Sequence, residues 1–261
     1  MKRFWNLFKT DLRRAFGVRL WLLCLGVTAL FLLSLSHYYF LGGEDFCYRI
    51  KLAELPIFID IMLVFSTAAY GVSFCEDWDN RNIRNLFVRA GAKKYAASKV
   101  ASCFLASFTV LFIGKLLLVL SQLAVSPVLF NPDVFDGMQS PAGSVDALAY
   151  TGNFGGWVLV NLVRFALEGT VFSVLALAVS TVLTNKFVVL VVPLIVRMLY
   201  QCATIGGFIP AALTMSNLFE DSYCSLSVFQ GLLRPVLISL ASCLLFGCLF
   251  FYGVKRRLEN G

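Results

Sequence analysis

Six long apolar stretches constrain what this chain can fold into more than any other feature of its sequence. They run over residues 20–41, 55–75, 100–126, 154–183, 187–209 and 231–254. A helix needs ~20 mostly apolar residues to cross the hydrocarbon core of a bilayer, and every stretch reaches that length. None alternates like the strands of a closed barrel, which is the other structure able to span a membrane. The sequence therefore predicts an all-α polytopic membrane protein with six transmembrane helices in a single domain, residues 1–261.

Composition excludes several other classes. Hydrophobic residues make up 59% of the 261 residues and charged residues only 14%, whereas soluble domains carry about 25% charged residues. So few charges cannot cover the surface of a soluble enzyme, and so many apolar residues argue against a disordered chain. The chain also lacks a GxSxG elbow, an HExxH pair and a GxxxxGK[ST] phosphate loop, and it has one histidine. We therefore expect a chain that is not an enzyme and that holds no metal or cofactor of its own.

Basic residues are distributed unevenly between the two sides of the predicted spans. If both termini are cytoplasmic, sixteen of the 22 Lys and Arg residues face the cytoplasm, and only Arg49 and Lys51 face outward. This is the positive-inside pattern of membrane proteins. It accounts for the net charge of +7 without a nucleic-acid partner. The loop 76–99 is then cytoplasmic, and the acidic loop 127–153 lies outside.

Residues 1–19 form a basic amphipathic segment. Helices of this composition lie in the plane of the membrane interface and contact lipid. We predict such an interfacial helix here, with Gly17 permitting a bend into the first span. The alternative is a charged flank that only sets the orientation. The apolar residues recur at near-helical spacing: Phe4, Trp5, Leu7, Phe8, Leu12 and Phe16.

The cytoplasmic loop between the second and third spans carries the most informative pattern. Ile83, Leu86 and Phe87 stand at i, i+3 and i+4, on one face of a short helix. Gly91 is placed to end that helix. A helix of about ten residues is not stable alone in water, so we expect it to dock on a partner. The alternative is a solvated basic loop.

This loop resembles the coupling-helix loop of the bacterial type-2 ATP-binding-cassette permeases. Arg81 and Asn82 depart from the Gly and Thr that are common in that family. The resemblance implies that the chain is the permease of an exporter. It also implies that a separate cytoplasmic ATPase subunit, which binds ATP and Mg²⁺, holds the coupling helix by Ile83, Arg84, Leu86 and Phe87. The residues that carry the likeness are, in order, Asp79, Asn82-Ile83-Arg84-Asn85, Leu86, Gly91, Lys93-Lys94, Tyr95 and Ser98-Lys99.

The same resemblance implies the rest of the assembly. Two permease chains, identical or related, would form one pathway through a bacterial cytoplasmic membrane. Compact chains of this kind resemble exporters of peptides, antimicrobials or hydrophobic drugs, and lipid or glycan export is an alternative. Two other classes stay open. One is an ion-gradient-driven transporter that uses Asp60 or Glu168 as a proton site, and the other is a membrane sensor or assembly factor that transports nothing.

Five ionisable residues fall well inside the predicted spans: Asp60, Lys115, Arg164, Glu168 and Arg197. Each costs ~2.5–3.5 kcal/mol at the centre of a spanning helix, so each should find a partner or water. Arg164 and Glu168 stand at i and i+4 and can pair within one helix. Asp60 is the other acidic partner within reach of Arg197. These residues either line a cargo path or gate, or form fixed ion pairs between helices.

Two cysteines lie on the predicted outer side, where a disulfide could persist. They are Cys47 and Cys224, and two independent free thiols are the alternative. The loop that follows the fifth span is semi-apolar, and in the resembling family this region often dips back into the outer leaflet.

Overall fold

The computed structural model describes residues 2–38, 45–53, 56–80, 83, 91–126, 128–131, 145–210, 213–214, 216–220 and 227–259. Within these ranges the regular structure is helical, and the one strand-like feature is an isolated parallel bridge between Asp45 and Val128. The prediction of an all-α protein is confirmed for this part of the chain.

The helices follow the order of the apolar stretches, with short helices between them. A π-helical turn covers Ser216–Glu220. The helices are α1 (Lys2–Ala15), α2 (Val18–Tyr38), α3 (Phe46–Leu52), α4 (Pro56–Tyr70), α5 (Ser73–Asp79), α6 (Ala92–Val125), α7 (Ala147–Tyr150), α8 (Phe154–Val179), α9 (Lys186–Ile205) and α10 (Val228–Glu259).

Four helices, α6, α8, α9 and α10, are long and apolar enough to cross a bilayer alone. Two further pairs reach that length as bent units: α1 with α2 at 51°, and α4 with α5 at 43°. The described residues therefore hold four to six candidate spans, which confirms a multi-pass membrane protein. The exact number of six, the interfacial position of α1 and the orientation of the termini stay predictions.

Helix α6 begins earlier than the apolar stretch that predicts it. It starts at Ala92, whereas the stretch starts at residue 100, and its first turn carries the exposed Lys93 and Lys94. An apolar stretch measures only the part of a helix that meets hydrocarbon, so a helix that continues beyond the bilayer is longer than its stretch. Gly91 precedes α6 at φ 79°, a conformation that favours glycine.

Helix α8 is the centre of the bundle and contacts α4, α6, α9 and α10. The most apolar window of α8 is 83% buried, while the corresponding windows of α9 and α10 are only 17% buried. Helices α9 and α10 therefore lie at the periphery and expose long apolar side chains.

Small residues allow the central helices to approach closely. Ser66 on α4 lies 3.1 Å from Ser173 on α8, measured between the hydroxyl oxygens, and Ser107 on α6 donates to the carbonyl of Ser66 at 2.9 Å. Two turns further along α6, Thr28 of α2 donates to the carbonyl of Gly114 at 3.0 Å. A Cβ at Gly114 would stand 3.2 Å from the carbonyl oxygen of Cys24 and closer still to Val27. Contacts between small residues of this kind are typical of helix packing in membranes.

We expect Gly114→Leu to destabilise the fold, because the new side chain would force α2 and α6 apart. Overpacking of a filled core costs about 1–3 kcal/mol. Thermal unfolding of the detergent-purified protein, followed by fluorescence-detected size exclusion, measures the loss. Gly155→Leu is the matched control, since a Cβ there has nothing within 4 Å. Equal melting of the two variants would contradict the close α2–α6 contact.

Candidate functional site

A buried group of charges lies between α1, α5 and α6, around Lys99. The Lys99 side chain is fully buried, and its Nζ lies 3.2 Å from Asp11 Oδ1 and 2.8 Å from Asp77 Oδ2. One ammonium thus joins three helices, because Asp11 belongs to α1, Asp77 to α5 and Lys99 to α6. A buried charge costs several kcal/mol unless it is paired and hydrogen-bonded. The three helices therefore depend on one another at this point.

Hydroxyl groups satisfy the remaining positions of both carboxylates. Tyr70 donates to Asp11 Oδ1 at 2.7 Å, and Ser98 donates to the other oxygen of Asp11. Tyr95 donates to Asp77 Oδ2 at 2.9 Å. Polar networks whose members are all satisfied are rigid and specify one arrangement.

Arg14 adds the second positive charge of the group. Its guanidinium donates to Asp77 Oδ1 at 2.9 Å, so the two carboxylates face two cations. We call this group the inner network and define it as Asp11, Arg14, Tyr70, Asp77, Tyr95, Ser98 and Lys99.

The inner network closes the base of the loop over residues 81–90, which is predicted to be cytoplasmic. Asp77 precedes residues 81–90, whereas Tyr95 and Lys99 follow them, and the contacts of Asp77 with both residues tie the two ends of the loop together. The same carboxylate holds Arg14, so α1 is fixed to the base of this loop as well.

Ile83 is the one predicted docking residue that the structure describes. Its side chain is 3% exposed and belongs to the main apolar core. In this conformation Ile83 holds the loop against the chain itself and does not offer its side chain to a partner. The other three residues predicted to dock, Arg84, Leu86 and Phe87, lie outside the described residues.

Sequence reasoning missed the inner network, although one signal was present. Asp11 is the single acidic residue among residues 1–19, and it follows Leu7 and precedes Ala15 by one helical turn each. In the structure Asp11 and Ala15 are both buried. An isolated acid on the buried face of a basic helix indicates a buried cation elsewhere. Lys99 directly precedes the apolar stretch 100–126, a position that predicts a lysine at the membrane surface, whereas in the structure it is fully buried.

A second buried group joins α4, α8 and α9. Arg197 on α9 pairs with Asp60 on α4, and its guanidinium lies 3.2 Å from Glu168 Oε1 on α8. All three residues are under 10% exposed. The predicted pairing of Arg197 with Asp60 is confirmed, and the structure adds Glu168. We call Asp60, Glu168 and Arg197 the membrane triad; a role in a cargo path or gate stays a prediction.

The other two predicted intramembrane cations are also buried. The Lys115 ammonium on α6 donates to the carbonyl of Asn161 at 3.3 Å and lies 4.9 Å from the ring centre of Phe165. The Arg164 guanidinium donates to the carbonyl of Phe219 in the π-helical turn. Arg164 thus holds part of the loop after α9 against α8, and Phe219 is itself buried.

Helix α9 is bound to the core along one narrow stripe. Val189, Pro193 and Arg197 are its buried residues, one helical turn apart. Pro193 has no N–H to complete the helical hydrogen bond to the preceding turn. The helix is therefore held at its middle by the membrane triad, beside a break in its own hydrogen bonding.

The end of the bundle that is predicted to face outward is closed by α3 and the segment around α7. Asp45 accepts hydrogen bonds from the first N–H groups of α3, and Asp146 accepts from Lys51 and from the indole of Trp157. Cys47 is buried here with a free thiol. Burial, and then the nearby Asp45 carboxylate, raise the pKa of the Cys47 thiol to about 12. Its proposed disulfide partner, Cys224, lies outside the described residues.

Comparison of the chain with models of protein families, with curated proteins and with solved structures finds no match. Within the described ranges, no cluster of three His, Cys, Asp or Glu residues has metal-binding geometry.

We expect Arg197→Met to lower stability by about 3–5 kcal/mol, because it leaves two buried carboxylates without their arginine. The triple variant Asp60→Asn, Glu168→Gln, Arg197→Met should recover most of that loss, since it removes the charges together. Melting temperatures in the same detergent measure both. If Arg197→Met melts like the wild type, the membrane triad does not hold α9.

We expect Cys47 to react very slowly with a membrane-impermeant maleimide at pH 7.5, because the thiolate is the reactive form and this thiol is buried. The test uses Cys224→Ser, so that Cys47 remains as the outer cysteine, and compares intact membranes with SDS-denatured protein by mass spectrometry. Equally fast labelling in both samples would contradict the burial of Cys47.

Proposed function

We propose that this chain is the transmembrane subunit of an ATP-binding-cassette exporter and works with a separate cytoplasmic ATPase subunit. The observation that carries the proposal is the inner network. A loop can pass movement into a membrane domain only if its base is fixed to the membrane helices. Here Asp77 and Lys99, from the two sides of the loop, are in direct contact. Lys99 also holds α1 through Asp11, and Asp77 holds α1 through Arg14.

The surroundings of the loop suit a protein partner. Ile83 anchors the loop to the chain's own core, which leaves Leu86 and Phe87 as the apolar residues proposed to enter a cleft of the ATPase, as a short helix enters a groove. The exposed Lys93 and Lys94 favour an acidic rim around that cleft. ATP and Mg²⁺ belong to the partner.

The membrane triad is the proposed cargo path or gate, together with Lys115 and Arg164. Because Arg197 connects α9 to both α4 and α8, movement of α9 requires that these ion pairs break or shift together. In the proposed exporter two permease chains, identical or related, share one pathway in a bacterial cytoplasmic membrane, with both termini in the cytoplasm. The proposed cargo is a peptide, an antimicrobial or a hydrophobic drug.

Affinity purification from native membranes in mild detergent, followed by mass spectrometry, tests the proposal. We expect a nucleotide-binding subunit with the wild type and at least a tenfold loss of it with Leu86→Asp plus Phe87→Asp, because two charges in an apolar cleft cost several kcal/mol.

Val182→Asp plus Phe187→Asp is the matched control. Both residues are highly exposed, at 76% and 80%, and they lie at the turn between α8 and α9, on the predicted cytoplasmic side. This control variant should still co-purify with the nucleotide-binding subunit. A wild-type chain that brings no ATPase would refute the proposal. Transport that collapses with an uncoupler would then favour a gradient-driven transporter, and no transport at all would favour a sensor or assembly factor.

A further inference from the structure

Helix α5 is seven residues long and lies directly before residues 81–90. Four of its residues, Ser73, Phe74, Cys75 and Asp77, are buried, which is unusual for a helix so short. The burial follows from its position, because α5 contacts other elements on several sides.

The contacts of α5 form three groups, which we call arms. The first arm reaches α1 and α6. Asp77 pairs with Arg14 of α1 at 2.9 Å and with Lys99 of α6 at 2.8 Å. Glu76 adds an exposed ion pair with Arg19 at 3.4 Å, at the start of α2. One turn of α5 thus holds the first and third predicted spans.

The second arm reaches the turn between α8 and α9. Asp79 pairs with Lys186, the first residue of α9, at 2.9 Å. One turn earlier on the same face of α5, the Cys75 thiol donates to the carbonyl of Leu183 at 3.8 Å. The buried Cys75 also packs with Val189 of α9.

The third arm reaches the end of α10. The ring of Phe74 packs edge-on against Phe250, with ring centres 5.6 Å apart. The Arg257 guanidinium lies 4.1 Å from the ring centre of Trp78, which is a cation–π contact. Arg257 also donates to the carbonyl of Thr181 at 2.8 Å, so this arm connects back to the turn after α8.

A joint separates α5 from α4. The chain bends by 43° between the two helices, at Gly71 and Val72. Gly71 is pressed against α8, because a Cβ there would stand 3.3 Å from the carbonyl oxygen of Ser173 and 2.8 Å from that of Thr67. The end of α4 is therefore fixed on the central helix, while α5 continues in a new direction toward the loop.

We propose that α5 is the transmission hub of the protein: a short helix that turns at the Gly71–Val72 joint and carries movement of the cytoplasmic loop to α1 and α6, to the α8–α9 turn and to the end of α10. The source of that movement rests on the proposed function, since the ATPase would push the loop. The hub itself rests only on the contacts of α5.

Hydrogen–deuterium exchange of the full chain in lipid nanodiscs tests the hub without any partner. Asp77→Asn removes the carboxylate that α5 places between Arg14 of α1 and Lys99 of α6, so amides in both helix segments should exchange about tenfold faster, because a charge-assisted hydrogen bond contributes more than 1.4 kcal/mol. Asp146→Asn is the control at the opposite end and should affect only the outer segments. Faster exchange confined to α5 in Asp77→Asn would overturn the hub.

The complex with its co-purified ATPase tests transmission. Adding ATP, Mg²⁺ and vanadate should change exchange in α1, in the α8–α9 turn and at the end of α10. In Arg257→Gln the response at the end of α10 should be reduced while that of α1 persists, because this variant removes the contacts of Arg257 with Trp78 and Thr181 and leaves those of Asp77 in place. Asp77→Asn should show the reverse pattern.

The two tests fail differently. If the wild-type chain brings no ATPase, the proposed function is refuted. Hydrogen–deuterium exchange of the chain alone then tests the hub. A complex in which both variants respond like the wild type refutes the hub and leaves the proposed function standing.

Discussion

The ion pairs of Lys99 with Asp11 and Asp77 are the interaction on which the inner half of this protein depends. An ammonium with no solvent exposure is tolerable only when its counter-ions are in place, and here they come from two other helices. Apolar packing alone would let α1 slide or rotate on α6, since the hydrophobic effect has no direction. The carboxylates remove that freedom, because each accepts hydrogen bonds from donors in fixed positions. The base of the loop over residues 81–90 has one geometry as a result.

The membrane triad is also a set of buried ion pairs, and it attaches the peripheral helix α9 to the core. Helix α9 exposes most of its apolar side chains and touches the core along a narrow stripe, so the ion pairs of Arg197 contribute a large share of its attachment. The inner network, by contrast, lies among closely packed helices. The protein therefore combines a closely packed network between α1, α5 and α6 with a peripheral helix that is held largely by one set of ion pairs.

Much of the architecture could be predicted from the sequence, because each apolar stretch reports directly on a membrane crossing. The pairing of Arg197 with Asp60 could be predicted as well, since few intramembrane acids were available. Glu168 was harder to place: Arg164 stands one turn away and offered a sufficient local partner. Lys99 could not be placed, because a lysine at the end of an apolar stretch is equally typical of the lipid headgroup region. Its burial depends on how α1 folds back, which no local pattern encodes.

The separation of the inner network along the chain has a consequence for synthesis. Asp11 receives its hydrogen bond from Ser98, 87 residues later in the sequence, and its ion pair from the following lysine. When α1 leaves the ribosome neither partner exists, so Asp11 must stay in contact with water until the third predicted span has been made. Helix α1 therefore cannot adopt its final packing at the time when it is synthesised. Helix α1 is therefore fixed in place only after the residues of α6 that bind it have been made.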